Sequence, residues 1–147
     1  MTAVDAAFVE ALRLEFGERF VDRRAEVDAL LASTPGKRRL ARPGGTGAIL
    51  GYCVHHIGPG VGYGDWSIVD AWRYAVRSAP WVDAADVVRR GWGTGNYMAG
   101  ILPDGRVELA ALPSHTTYHA GGARNDAWTG VVILHDCRRG VAKGGPP

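Results

Sequence analysis

Apolar side chains recur every fourth residue at the start of the chain: Val4, Phe8, Leu12, Phe16 and Phe20, with Ala7 and Ala11 beside them. That period matches one face of an α-helix, so residues 3–32 read as helical. Thr2 followed by Asp5 has the spacing of a capping pair. Gly17 is placed to divide the segment into two helices, and Thr34-Pro35-Gly36 ends it. Residues 33–47, rich in Gly, Pro and basic side chains, read as a linker.

The pattern then shortens. Residues 48–56, AILGYCVHH, form an apolar run with β-formers between glycines, which predicts a buried strand ending in two histidines. A glycine-rich loop follows at 57–65. Residues 66–78 predict a helix with Ile68, Val69, Trp72 and Val76 on one side, and 83–90 a second short helix stopped by Gly91. Asp-Gly within Pro103-Asp104-Gly105 separates two β-like runs, 97–102 and 106–112, and predicts a hairpin. Residues 129–135, TGVVILH, predict another buried strand. The tail 137–147 has little to bury and is expected to be flexible.

Composition narrows the function. The 147 residues suit one domain, and 46% hydrophobic with 22% charged residues is ordinary for a globular protein. A net charge of +2 gives no case for nucleic acid. The basic cluster Lys37, Arg38, Arg39 and Arg42 reads as a solvated loop, with mild attraction to anionic cell-wall polymers as the functional alternative. Two cysteines, Cys53 and Cys137, define no disulfide framework; Cys53, in an apolar run, reads as a buried thiol. The sequence has no 18-residue apolar stretch, so no membrane insertion is expected. A basic start with an apolar h-region is also missing, so synthesis in the cytoplasm without a signal peptide is expected.

Three clusters carry candidate chemistry. His55 and His56 are adjacent on a strand and point to opposite faces, so one can face a cleft while the other packs or meets solvent. In SHTTYHAGGARN (114–125), His119 is followed by small residues that let a backbone and a substrate approach closely. It reads either as a loop histidine bonded to its neighbours or as a cleft residue acting as general acid/base. Asn96-Tyr97 leads into the hairpin; Tyr97 reads as half-buried packing or as a donor to a developing oxyanion.

Taken in order, VHHIG (54–58), GWGTGNYMAGILPDGRVE (91–108) and YHAGGARNDAWTGVVI (118–133) resemble the N-acetylmuramoyl-L-alanine amidases, the family of phage lysozyme-type amidases and peptidoglycan recognition proteins. The resemblance spans residues 48–135. It implies an α/β (α+β) fold: a central mixed sheet flanked by helices, with a cleft at the strand ends and, here, an extra N-terminal helix. It divides the chain into an N-terminal helical segment (1–34), an amidase-like domain (48–136) and the tail. It implies a Zn2+ cofactor with His55 as a ligand, and Tyr97 and His119 as catalytic residues. It also implies His56, Asn96, Gly121, Gly122 and Asn125 as substrate-binding residues. The reaction implied is hydrolysis of the N-acetylmuramoyl–L-alanine bond of peptidoglycan, as in a phage endolysin or cell-wall hydrolase.

The chain departs from that pattern at its end. The family's second His and its Cys or Asp ligand come from a later segment that is not found here. Val132 or Ile133 stands where many members carry Glu. His115, His119, His135 and Cys137 are the remaining candidate ligands, Cys137 a weak one. Three readings follow: an amidase, whole or remnant; a non-catalytic module that binds muropeptide; or a subunit whose sheet face is completed by a partner chain or by self-association. The Phe-rich N-terminal helix is a further candidate to cover that face.

Overall fold

The computed structural model describes residues 1–56 and 66–134. The loop at 57–65, His135, Cys137 and the tail lie outside the described residues. The elements are α1 (Ala3–Phe16), β1 (Phe20–Asp22), α2 (Arg24–Ala32), β2 (Leu40–Ala41), β3 (Gly51–His56) and α3 (Ile68–Arg77). They continue with β4 (Pro80–Val82), β5 (Val88–Arg90), β6 (Ala99–Ile101), β7 (Val107–Leu109), β8 (His115–Thr116), α4 (Arg124–Ala127) and β9 (Trp128–Ile133).

The α/β architecture is present, built on a mixed five-stranded sheet in the order β1-β7-β6-β9-β3. β6 and β7 are the antiparallel pair of the Asp-Gly hairpin. β9 runs parallel to both β6 and β3, and β1 parallel to β7. Two antiparallel pairs, β2 with β8 and β4 with β5, lie outside this sheet.

The first helix starts where its cap predicts. Thr2 Oγ1 accepts from the Asp5 amide at 3.1 Å while Asp5 Oδ2 accepts from the Thr2 amide at 2.9 Å, so two orphan donors are satisfied reciprocally. The buried stripe is offset from the one read in the sequence. Asp5 and Val9 are buried, Phe8 and Leu12 pack on the core, and Val4 is 53% exposed. Phe8, Phe16 and Phe20 are half-buried. The helix does not run to residue 32: Gly17 leaves helical geometry at φ 52°, and Phe20–Asp22 joins the sheet before α2 begins.

Residues 83–90 are not a helix. Val82 and Val88 face each other across the β4–β5 hairpin. Asp83 makes the turn: its Oδ1 accepts from the amides of Ala85 and Val87, and Asp86 adopts φ 59°. An Asp side chain that satisfies nearby amides competes with helix formation.

The helix α3 is the centre of the core. Ser67 and Asp70 form its capping box, and Ile68, Val69, Ala71, Trp72, Ala75 and Val76 are buried. Its first amide, at Ile68, donates to Glu108 Oε2 at 2.8 Å. Glu108 is fully buried on β7, and its Oε1 accepts from Arg23 Nε at 3.0 Å and Nη2 at 2.9 Å. One carboxylate thus joins α3, β7 and the start of α2.

Within the basic cluster Arg38 is exposed, but Arg39 and Arg42 are braces and not part of a solvated loop. Arg42 is 4% exposed and donates to the carbonyls of Pro113, Asn125, Asp126 and His115 and to Thr129 Oγ1. Arg39 lies over the Trp72 ring and bonds Asp28, Ala110 and Arg24. Arginine's rigid fork of donors fits such bare carbonyls. Burial disfavours the charged form of Arg42 and lowers its pKa, partly offset by Asp126.

No helix among the described residues is long and apolar enough to cross a membrane. Along β3 the burial alternates, and Tyr52 and Val54 are 69% and 67% exposed.

Candidate functional site

His55 sits in β3 with Cys53 two residues before it, so both project from the same face. His56 is exposed and lies on the opposite face, away from His55. Beside β3 runs β9, whose Gly130 lies level with Cys53. A Cβ at residue 130 would stand 2.6 Å from His119 Cγ, so the imidazole of His119 rests directly on the sheet backbone. Glycine at 130 is what lets the loop histidine approach β3.

The loop that carries His119 is held from two sides. Asn125, buried, accepts through Oδ1 from the amides of His119 and Ala120, both at 2.9 Å. Arg42 grips the backbone of Asn125 and Asp126. Gly121 and Gly122 adopt φ 77° and 56°, which non-glycine residues seldom take.

Three rings converge. His55 Nε2 faces His119 Nδ1 at 3.2 Å. The His55 ring centroid is 5.4 Å from that of His119 and 5.4 Å from that of Tyr97. His119 Nε2 lies 2.9 Å from the Trp128 carbonyl. A carbonyl only accepts, so Nε2 carries the hydrogen and Nδ1 presents its lone pair to His55. Trp72 Nε1 donates to the Tyr97 carbonyl at 2.7 Å and so anchors the tyrosine to α3.

Burial sets the protonation of the site. It lowers the pKa of His55, with His119 and His56 adding to the effect. It also lowers that of His119, against the pull of the Trp128 carbonyl. Burial raises the pKa of Tyr97, which keeps its hydroxyl protonated at neutral pH.

The ligand atoms of Cys53, His55 and His119 all lie within 4.8 Å of one another, so these three side chains can hold a metal ion. Cys53 is half-buried and not the fully buried thiol expected from its apolar run. Its place two residues before His55 on a strand was the available signal for a shared face. His115 points elsewhere: its Nδ1 accepts from the Leu112 amide at 3.2 Å.

A groove of about 860 Å³ opens beside His119, lined by Lys37, Trp81, Trp92, Tyr118, Gly121, Gly122 and Asn125 among others. Trp81 Nε1 donates to Gly91 O at 3.1 Å and Trp92 Nε1 to Pro80 O at 3.4 Å, so both indole N–H groups are already bonded to backbone. Asn96, by contrast, is 8% exposed, with an unpartnered Oδ1, and does not line this groove.

Comparison of the chain with protein-family profiles, with characterised proteins and with solved structures returns no match in any of the three.

Proposed function

We propose that this chain is a zinc-dependent amidase that hydrolyses the N-acetylmuramoyl–L-alanine bond of peptidoglycan. The observation that carries the reading is the convergence of His55, Tyr97 and His119, residues far apart in the chain, within ring-to-ring distances of 5.4 Å. A bound Zn2+ supplies a water acidified to a pKa of about 7 and an electrophile for the scissile carbonyl. Tyr97 is protonated and donates to the oxyanion as it develops.

The groove supports a wall-fragment substrate. Its volume, about 860 Å³, lies within the range of small-molecule sites. With their N–H groups bonded inward, Trp81 and Trp92 offer ring surface to the apolar faces of a sugar. Lys37, on the same wall, spends one N–H on the Gly91 carbonyl and offers the rest of its ammonium to a stem-peptide carboxylate.

Incubation with purified peptidoglycan tests the reading. New L-alanine amino termini without new reducing ends, abolished by a chelator and restored by zinc, are expected. Wall binding that survives chelation, with no amine released, would instead select the non-catalytic module. The exposed Leu50, Tyr52 and Val54, at 74%, 69% and 67%, favour the further reading of a sheet completed by a partner chain. A purified chain that is monomeric and fully active overturns that one.

A further inference from the structure

Tetrahedral zinc takes His nitrogen at about 2.0–2.1 Å and Cys sulfur at about 2.3 Å, which places neighbouring ligand atoms roughly 3.3–3.6 Å apart. His55 Nε2 and His119 Nδ1 already stand 3.2 Å apart. The Cys53 thiol lies with them in a cluster no wider than 4.8 Å. The Trp128 carbonyl on His119 Nε2 is the kind of outer partner that orients a ligating imidazole and fixes its tautomer. Gly130 leaves the space that the His119 ring fills.

We propose that Cys53, His55 and His119 form a three-ligand zinc site with a fourth position left for water, beside the groove that His119 also lines. A mixed sulfur and nitrogen donor set suits zinc, and three protein ligands leave room for a water. This set deepens the amidase reading, on which its use in catalysis rests, and it departs from the ligands that the resemblance implies. Of these three positions, the resemblance gives only that of His55 to the metal, and it puts His119 in the cleft. Here His119 is spent on the metal, and its Nδ1 is no longer free to move a proton for the leaving amine. Cys53 binds as thiolate, its proton passing to solvent. In the metal-free chain His55 Nε2 donates to His119 Nδ1, so on metal binding the ring proton of His55 moves through solvent to its Nδ1 and both facing nitrogens present lone pairs to the metal.

Titration of the chelator-treated full chain with cobalt(II) tests the site apart from any activity. One equivalent is expected to give a thiolate-to-cobalt charge-transfer band and the intense visible bands of four-coordination, both displaced by zinc. Cys53→Ser is expected to lose the charge-transfer band. Gly130→Ala, which keeps all three ligand residues but pushes the His119 ring out of position, is expected to weaken binding roughly 10- to 100-fold, the size of an outer-partner effect. X-ray absorption of the zinc-loaded wild type is expected to show one sulfur and two imidazole nitrogens, a readout that needs no variant to fold. A shell of nitrogen and oxygen alone, or a charge-transfer band unchanged in Cys53→Ser, overturns the proposal. Sulfur ligation with no release of L-alanine termini would uphold the site and overturn the amidase reading. Hydrolysis retained in Cys53→Ser would do the reverse.

Discussion

At one margin of the sheet, β1 pairs with a strand whose middle residue, Glu108, is a fully buried carboxylate held by Arg23 and by the first amide of α3. Asp22, on β1 itself, is bonded by Arg24 and lies near Arg13. At the other margin, β3 exposes Tyr52 and Val54 on one face and sets Cys53 and His55 on the other. The polar groups near β1 answer each other with opposite charge. His55 on β3 meets only the neutral ring of His119, which in turn bonds the Trp128 carbonyl and lines an open groove. The first arrangement stabilises the fold. The second costs burial of polar rings without a charged partner, and it suits groups waiting for a ligand.

Replacement of Glu108 by Ala should produce the largest change. It takes from Arg23 its buried partner, leaving it only Glu26, and leaves the Ile68 amide without an acceptor, a loss of about 3 kcal/mol. Val54→Thr, on the exposed face of β3, should stay within about 0.5 kcal/mol. Urea unfolding measures both, and comparable losses at the two margins would remove the contrast.

Tyr97→Phe should reverse the order of sensitivity. It keeps the ring against His55 and removes only the hydroxyl, so stability should hardly move while kcat on peptidoglycan falls about 100-fold. An unchanged kcat in a variant that folds normally would take Tyr97 out of the chemistry.

Arg42→Ala bears on both regions, because its guanidinium grips the loop that delivers His119 to β3. Unsatisfied carbonyls at Pro113 and His115 should cost about 2 kcal/mol. Zinc affinity should fall with stability. A variant that loses stability and keeps full affinity would show that the loop holds its shape without Arg42.

These residues differ in how far they could be read from the sequence. The Thr2–Asp5 cap, the Asp-Gly hairpin and the apolar side of α3 were legible because each is a local pattern. Phe20–Asp22 was not, because its apolar residue continues the spacing of α1 and only pairing with β7, residues 107–109, makes it a strand. The turn at Asp83 was hidden behind an alanine-rich stretch that favours helix. His55, Tyr97 and His119 were legible as a set through their motifs. Cys53 stands in an apolar run that reads as core, although strand alternation puts it on the face of His55. Arg42 and Glu108 gave no local sign of burial: their partners lie at residues 113–129 and at residues 23 and 68.

The smallest effect separates the margins by pH. Burial pushes the Asp5 carboxyl upward, but hydrogen bonds from Thr2 and Ser114 outweigh it and leave the pKa below its ordinary 3.8. Asp22 is lowered as well, chiefly by its hydrogen bond from Arg24. Asp22 lies on β1 itself, and Asp5 caps the start of α1, the helix that leads into that strand. A carboxyl whose folded pKa is depressed binds fewer protons folded than unfolded. Its contribution is therefore complete above the unfolded value near 3.8 and is lost as pH falls through the lower folded value. Asp5→Ala should cost about 1 kcal/mol at pH 7, as loss of a helix cap does. That deficit should shrink as the wild type itself loses the interaction in acid. Parallel urea curves for the two proteins from pH 7 downward measure the gap, and a gap of constant size would show that the Asp5 charge adds nothing to its hydrogen bonds.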